Sequence, residues 1–199
     1  MKEIDFKKVR DQVLARMEAE LPSNLYYHGV HHTRDDVLPA AERLGAMAGL
    51  SDTDIRLLQT AAVYHDIGYT WIYDNHEALS ASIVSKELPE LGYTPEQVQK
   101  IVNMIMATRM PQNPQTQLES ILCDADLSSL GAEDFFVKSQ CLRLEMHTRG
   151  IEISVRDWYE RQLEFLQEHT YFTEEAHRLR GAGKEKNIEE LRRLLKTEK

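Results

Sequence analysis

The 199-residue sequence predicts an all-α fold, and three observations carry that prediction. Apolar residues recur every three or four positions through most of the chain. Helix-capping residues punctuate those runs, and no segment alternates apolar and polar residues over strand length. A compact bundle of about eight or nine helices follows, and the length suits a single domain of about 100–200 residues.

The elements are read in order. Residues 2–20 space Ile4, Val9, Val13, Leu14 and Met17 along one helical face, and Pro22-Ser23-Asn24 stops the run. From about His31 to Ala48, Val37, Ala41, Leu44 and Ala48 recur with helical period. Gly49 sits where a left-handed cap ends the helix, and Pro39 bends it or displaces its start. Ser51, Asp52 and Asp54 open a third helix carrying Ile55, Leu58, Ala61, Ala62 and His65, which ends near Ile67-Gly68. Asn75 caps a fourth through Leu88. Thr94-Pro95-Glu96-Gln97 combines an N-cap, a first-turn proline and a capping-box glutamine, the strongest helix start in the chain. Met110–Gln115, with Pro111 and Pro114, reads as a loop bordering a cleft, after which Thr116 and Glu119 repeat the capping-box pattern. Helices at roughly 132–148 and 154–168 carry Phe135, Phe136, Leu142 and Leu144, then Val155, Trp158, Leu163 and Leu166. The aromatic stretch from Trp158 to Phe172 reads as core. A short final helix with Ile188, Leu191, Leu194 and Leu195 is set off by Gly181-Ala182-Gly183.

With 42% hydrophobic and 29% charged residues, the chain can bury a core. Its 24 basic against 33 acidic residues give 24 − 33 = −9, which argues against an extended nucleic-acid footprint. An anionic small molecule would need a local focus of positive charge, a metal ion or a few basic side chains. Cys123 and Cys141 form no CxxC pair and read as reduced thiols. With no N-terminal apolar h-region and no run of about 18 apolar residues, no membrane segment is predicted and a cytoplasmic protein is expected.

Three clusters combine histidine and carboxylate: Tyr26-Tyr27-His28-Gly29-Val30-His31-His32-Thr33, Tyr64-His65-Asp66-Ile67-Gly68-Tyr69 and Cys123-Asp124-Ala125-Asp126-Leu127. Acids in such apolar settings need partners, and imidazoles and carboxylates converging on one cation provide them. Helical geometry does not choose between His31 and His32. It does place Asp124 and Asp126 about 200° apart, so the two cannot share one ion.

A histidine opening one helix, His-Asp closing the next and an Asp on a later helix resemble the HD-domain superfamily of metal-dependent phosphohydrolases. YYHGVHHTRDDVLPAAERL looks like the family's first-histidine helix, AAVYHDIGY like its signature and ILCDADLSSLG like its last-aspartate helix. The similarity covers about residues 25–172, leaving 1–24 as an N-terminal helix packed on the domain and 173–199 as a C-terminal helical extension. The resemblance implies His32, directly before Thr33, with His65, Asp66 and Asp126 as ligands of one divalent ion (Mn, Fe, Co, Ni, Zn or Mg). His65 and Asp66 would also be catalytic. Binuclear relatives add two histidines between the His-Asp pair and the last Asp, and only His76 is available here. His28, His31, Arg34, His76, Glu77, Arg109 and Asp124 are candidates for supporting or substrate-contacting roles. The activity implied is hydrolysis of a phosphoester in a nucleotide or other small phosphorylated metabolite. A sensor that holds metal and nucleotide without turnover is the alternative. The tail is a candidate subunit interface for a homodimer.

Overall fold

The structure, a computed structural model, describes residues 5–197, so Ile4 lies outside the described residues. Nine α-helices and no strand are present among the described residues. Helix α1 (Phe6–Glu20) is capped by the Asp5 carboxylate, which accepts from the Lys8 amide, and it buries Val9, Val13 and Met17. Helices α2 (Leu38–Met47), α3 (Asp52–Tyr64), α4 (His76–Glu87), α5 (Pro95–Ala107) and α6 (Gln117–Asp126) complete the main bundle. Its core includes Leu44, Leu57, Leu58, Ile101, Ile105, Ile121 and Leu122, all buried. Burying each such side chain fully contributes about 1.5–3 kcal/mol. Helices α7 (Phe135–Thr148), α8 (Val155–Glu168) and α9 (Glu174–Thr197) build, with Leu130 of the preceding turn, a second, smaller cluster of Phe135, Leu166, Ile188 and Leu191.

Several caps form as expected. Ser51 accepts from the Asp54 amide, and Thr94 and Gln97 make a reciprocal capping box. At α6 the box is half made. Thr116 accepts from the Glu119 amide, whereas the Glu119 carboxylate reaches back one residue further, to the Gln115 amide at 2.6 Å. Asn75 stands at the N-cap of α4 with a left-handed backbone (φ 65°) and makes no side-chain cap.

Two departures bear on the site. Before α2 the chain winds a π-helical turn, His32–Val37, closed by the Leu38 amide donating to Thr33. Pro39 accounts for it: proline has no N–H for an ordinary helical bond and its ring crowds the carbonyl four residues back, and a widened turn relieves both. The expectation of a short last helix is also corrected, because α9 runs unbroken for 24 residues through Gly181-Ala182-Gly183. The glycine there is a packing device. A Cβ on Gly183 would lie 2.1 Å from the Gly131 carbonyl oxygen, so only glycine lets α9 lie on the 128–131 turn.

Candidate metal centre

The floor of the site is assembled by three local arrangements. The π-helical turn buries His32, while His31 stays exposed. At the end of α3, His65 and Asp66 are buried where the helix gives way to the 3₁₀ turn Ile67–Thr70. Gly68 allows that turn to meet α4, since a Cβ there would fall 2.1 Å from the His76 carbonyl oxygen. The close approach sets His76 Nε2 at 3.4 Å from Asp66 Oδ1. The last residue of α6 adds Asp126, with Oδ1 3.1 Å from His32 Nε2 and 3.6 Å from His65 Nε2.

Hydrogen bonds select the tautomers. His65 Nδ1 donates to the Ala62 carbonyl at 2.8 Å, and His76 Nδ1 to the Tyr73 carbonyl at 3.1 Å. Each ring therefore turns an Nε2 lone pair inward, the usual preparation of a metal-binding imidazole. His65 Nε2 faces Asp66 Oδ2 at 3.2 Å, and both atoms are buried with no hydrogen-bond partner. A lone pair and a carboxylate oxygen at that separation repel unless a proton or a metal cation lies between them. One donor atom each from His32, His65 and Asp66 forms a close group, with His65 Nε2 at 3.2 Å and His32 Nε2 at 3.9 Å from Asp66 Oδ2, separations that two ligands of one ion can have with bonds of about 2.0–2.2 Å.

The electrostatics agree. Burial pushes His32 down, but its hydrogen bond to Asp126 and the nearby Asp36 and Asp66 override that and raise it to about 9. His65 is likewise driven well above the ordinary histidine range against burial, first by the charge of Asp66 and then by Asp126. Burial would raise the Asp66 and Asp126 carboxyls, yet the imidazoles hold both well below the usual range. Ligation needs neutral imidazoles, so a metal binding here would have to displace the protons that these carboxylates favour.

Above the floor lies a cavity of about 410 Å³. His28, His76 and Glu77 line it, together with Asp66 and Asp126. His28 is held by a residue the sequence did not mark: Glu145 of α7, fully buried, binds His28 Nδ1 at 2.6 Å and accepts from the Tyr27 and His28 amides and the Tyr73 hydroxyl. Tyr69 stacks between His28 and His76, with ring centroids 4.6 and 3.8 Å away.

Four candidates do not enter the site. Asp124 is buried on the other side of α6, where its carboxylate accepts from the Phe172 amide, the Thr173 amide and the Thr173 hydroxyl and so ties down the start of α9. Arg34 pairs with Asp35 in solvent, and neither Arg109 nor His31 lines the cavity. The basic residues that do reach it are Lys138, held by Asp36 at 2.7 Å and Asp134 at 3.0 Å, and Arg161 on α8.

The HD domain family model matches residues 35–130, a span that contains His65, Asp66 and Asp126 and begins just after His32. A search of curated proteins returned no match. Among solved structures, a predicted HD superfamily hydrolase from an uncultured Thermotogales bacterium superposes with a TM-score of 0.66 at 18% identity, covering 94% of this chain and 91% of that one. Bacillus subtilis YpgQ, solved in complex with ADP, superposes with a TM-score of 0.67 at 20% identity, covering 96% of each chain. Residues 35–130 resemble an HD domain, and the chain shares the fold of both solved structures. No helix among the described residues is long and apolar enough to cross a membrane.

Proposed function

We propose that the protein is a metal-dependent phosphohydrolase acting on a nucleotide or similar small phosphorylated metabolite, with His32, His65, Asp66 and Asp126 holding one divalent ion. The observation that carries the proposal is the facing pair His65 Nε2 and Asp66 Oδ2, buried without partners at the base of an open cavity. When bound, a divalent ion supplies a water of lowered pKa and polarises a phosphoryl oxygen. The chain's residues do the rest. Asp66 Oδ1 takes the proton of the attacking water, and His76 Nε2, 3.4 Å away, shares it. His28 has its Nδ1 committed to Glu145, so Nε2 is its one nitrogen left to meet the phosphoryl group or the departing oxygen. Lys138, fixed by two aspartates, sets a positive charge in the cavity wall for the phosphate. The ADP bound by the B. subtilis relative supports a nucleotide as substrate.

The test is phosphate and pyrophosphate release from a panel of nucleotides and sugar phosphates, with Mn²⁺, Co²⁺, Ni²⁺, Zn²⁺ or Mg²⁺. The expected result is turnover of at least one nucleotide that chelator and His65→Ala both abolish. A metal-loaded protein that cleaves no phosphoester would overturn the assignment.

A further inference from the structure

The wall opposite the metal cluster is built differently. Helices α7 and α8 bring Phe135, Leu142 and Phe165 to the cavity as an apolar surface and set Ser139, Gln162 and Arg161 beside it. The polar groups form a directed chain. The Trp158 indole N–H, which can only donate, gives its hydrogen to Ser139 Oγ at 2.8 Å. The Ser139 hydroxyl donates in turn to Gln162 Oε1 at 3.2 Å. One of the two Gln162 carbonyl lone pairs is thereby filled and the oxygen turned toward Ser139, its NH₂ keeps both hydrogens free, and the neighbouring Arg161 guanidinium adds only donors. The carboxylates lining the cavity, Asp66, Glu77 and Asp126, all belong to the metal end.

Resting on the phosphohydrolase reading, we propose that this wall is a base pocket in which Gln162, oriented by Ser139 and Trp158, selects a 6-oxopurine over a 6-aminopurine. A glutamine reads adenine by using its carbonyl and its NH₂ together, on N6 and N7. Here the carbonyl is held toward Ser139, which leaves the Gln162 NH₂ and the Arg161 guanidinium as the groups set to meet the base edge, and the adenine amino group would have only the remaining carbonyl lone pair to pair with. The O6 and N7 acceptors of guanine or hypoxanthine match what Gln162 and Arg161 offer. Gln162 is the specificity-determining residue, and Ser139 is a positioning residue that acts through it.

The experiment compares equilibrium binding of GDP and ADP to the Mn²⁺-loaded protein, and kcat/KM for GTP and ATP, in the wild type, Gln162→Leu and Gln162→Glu. Metal content and helical circular dichroism are measured on each to show that fold and metal centre are intact. The wild type is expected to favour the guanine nucleotide about tenfold or more, the worth of one well-made base contact. Gln162→Leu should bring the ratio close to one, and Gln162→Glu, which presents an acceptor, should invert it. Equal affinity for GDP and ADP in the wild type, or a preference that Gln162→Leu leaves unchanged, overturns the base pocket while nucleotide cleavage stands. A guanine preference lost in Gln162→Leu without cleavage of any nucleotide supports the pocket and defeats the hydrolase reading.

Discussion

The two walls of the cavity differ in how they are held. On the metal side, the π-helical turn, α3 and the end of α6 each deliver a donor through local backbone geometry: a widened turn at buried His32, a helix terminus at buried His65 and Asp66, and a last helical residue at half-buried Asp126. On the α7–α8 side, Lys138, Ser139, Glu145 and Gln162 take their places through partners distant in sequence: Asp36, Trp158, the Tyr27–His28 backbone and Ser139. Under the proposed function, short motifs carry the chemistry and tertiary packing carries the recognition. Changes on the first wall should therefore abolish turnover, and changes on the second should retune it.

The sharpest way to break that contrast is at the ligands. His65→Ala and Asp66→Ala should each lose the bound ion and all measurable turnover while keeping native helical content, as read by elemental analysis and circular dichroism. Glu145→Gln comes next. It weakens the hold on His28 and Tyr73, and it is expected to lower kcat about tenfold or more with metal content unchanged. Asp124→Ala should do the opposite of a ligand change. Losing three hydrogen bonds to the start of α9 costs on the order of 3 kcal/mol, seen as a lower thermal midpoint, with the metal retained. Gly183→Ala should cost about 1–3 kcal/mol by forcing α9 off the 128–131 turn, again without touching the metal. The smallest effect is at His169, which burial, with the charges of Lys184 and His177, pushes down to about 4. The unfolded chain takes up this proton near pH 6.5, so the stability that neutral His169 contributes is present above that pH and is lost as pH falls towards 4. His169→Gln should flatten the acid limb of a stability-against-pH curve.

How far the sequence revealed each wall follows from the same contrast. Caps at Ser51 and Thr94, the left-handed stop at Gly49 and the His-Asp motif are local, so the main bundle and the floor residues could be read directly. The π-helical turn was signalled only as an unplaced disturbance at Pro39. Glu145 sits in LRLEMHT, a mixed stretch that carries no motif, and its burial follows from packing of the Tyr27–His28 segment against α7. Arg34 and Arg109 drew notice by their closeness in sequence to the motifs, whereas Lys138 and Arg161 reach the cavity through helices far along the chain. Gly181 and Gly183 looked like a break because glycine weakens a helix, and the requirement for close approach to Gly131 overrides that preference.

Metal content of the purified protein tests the central claim most directly, with wild type, Asp126→Ala and Asp124→Ala measured side by side. The account predicts about one divalent transition-metal ion per chain in the wild type and in Asp124→Ala, and none in Asp126→Ala. Equal metal in all three proteins, or none in the wild type after incubation with Mn²⁺ or Ni²⁺, would contradict it.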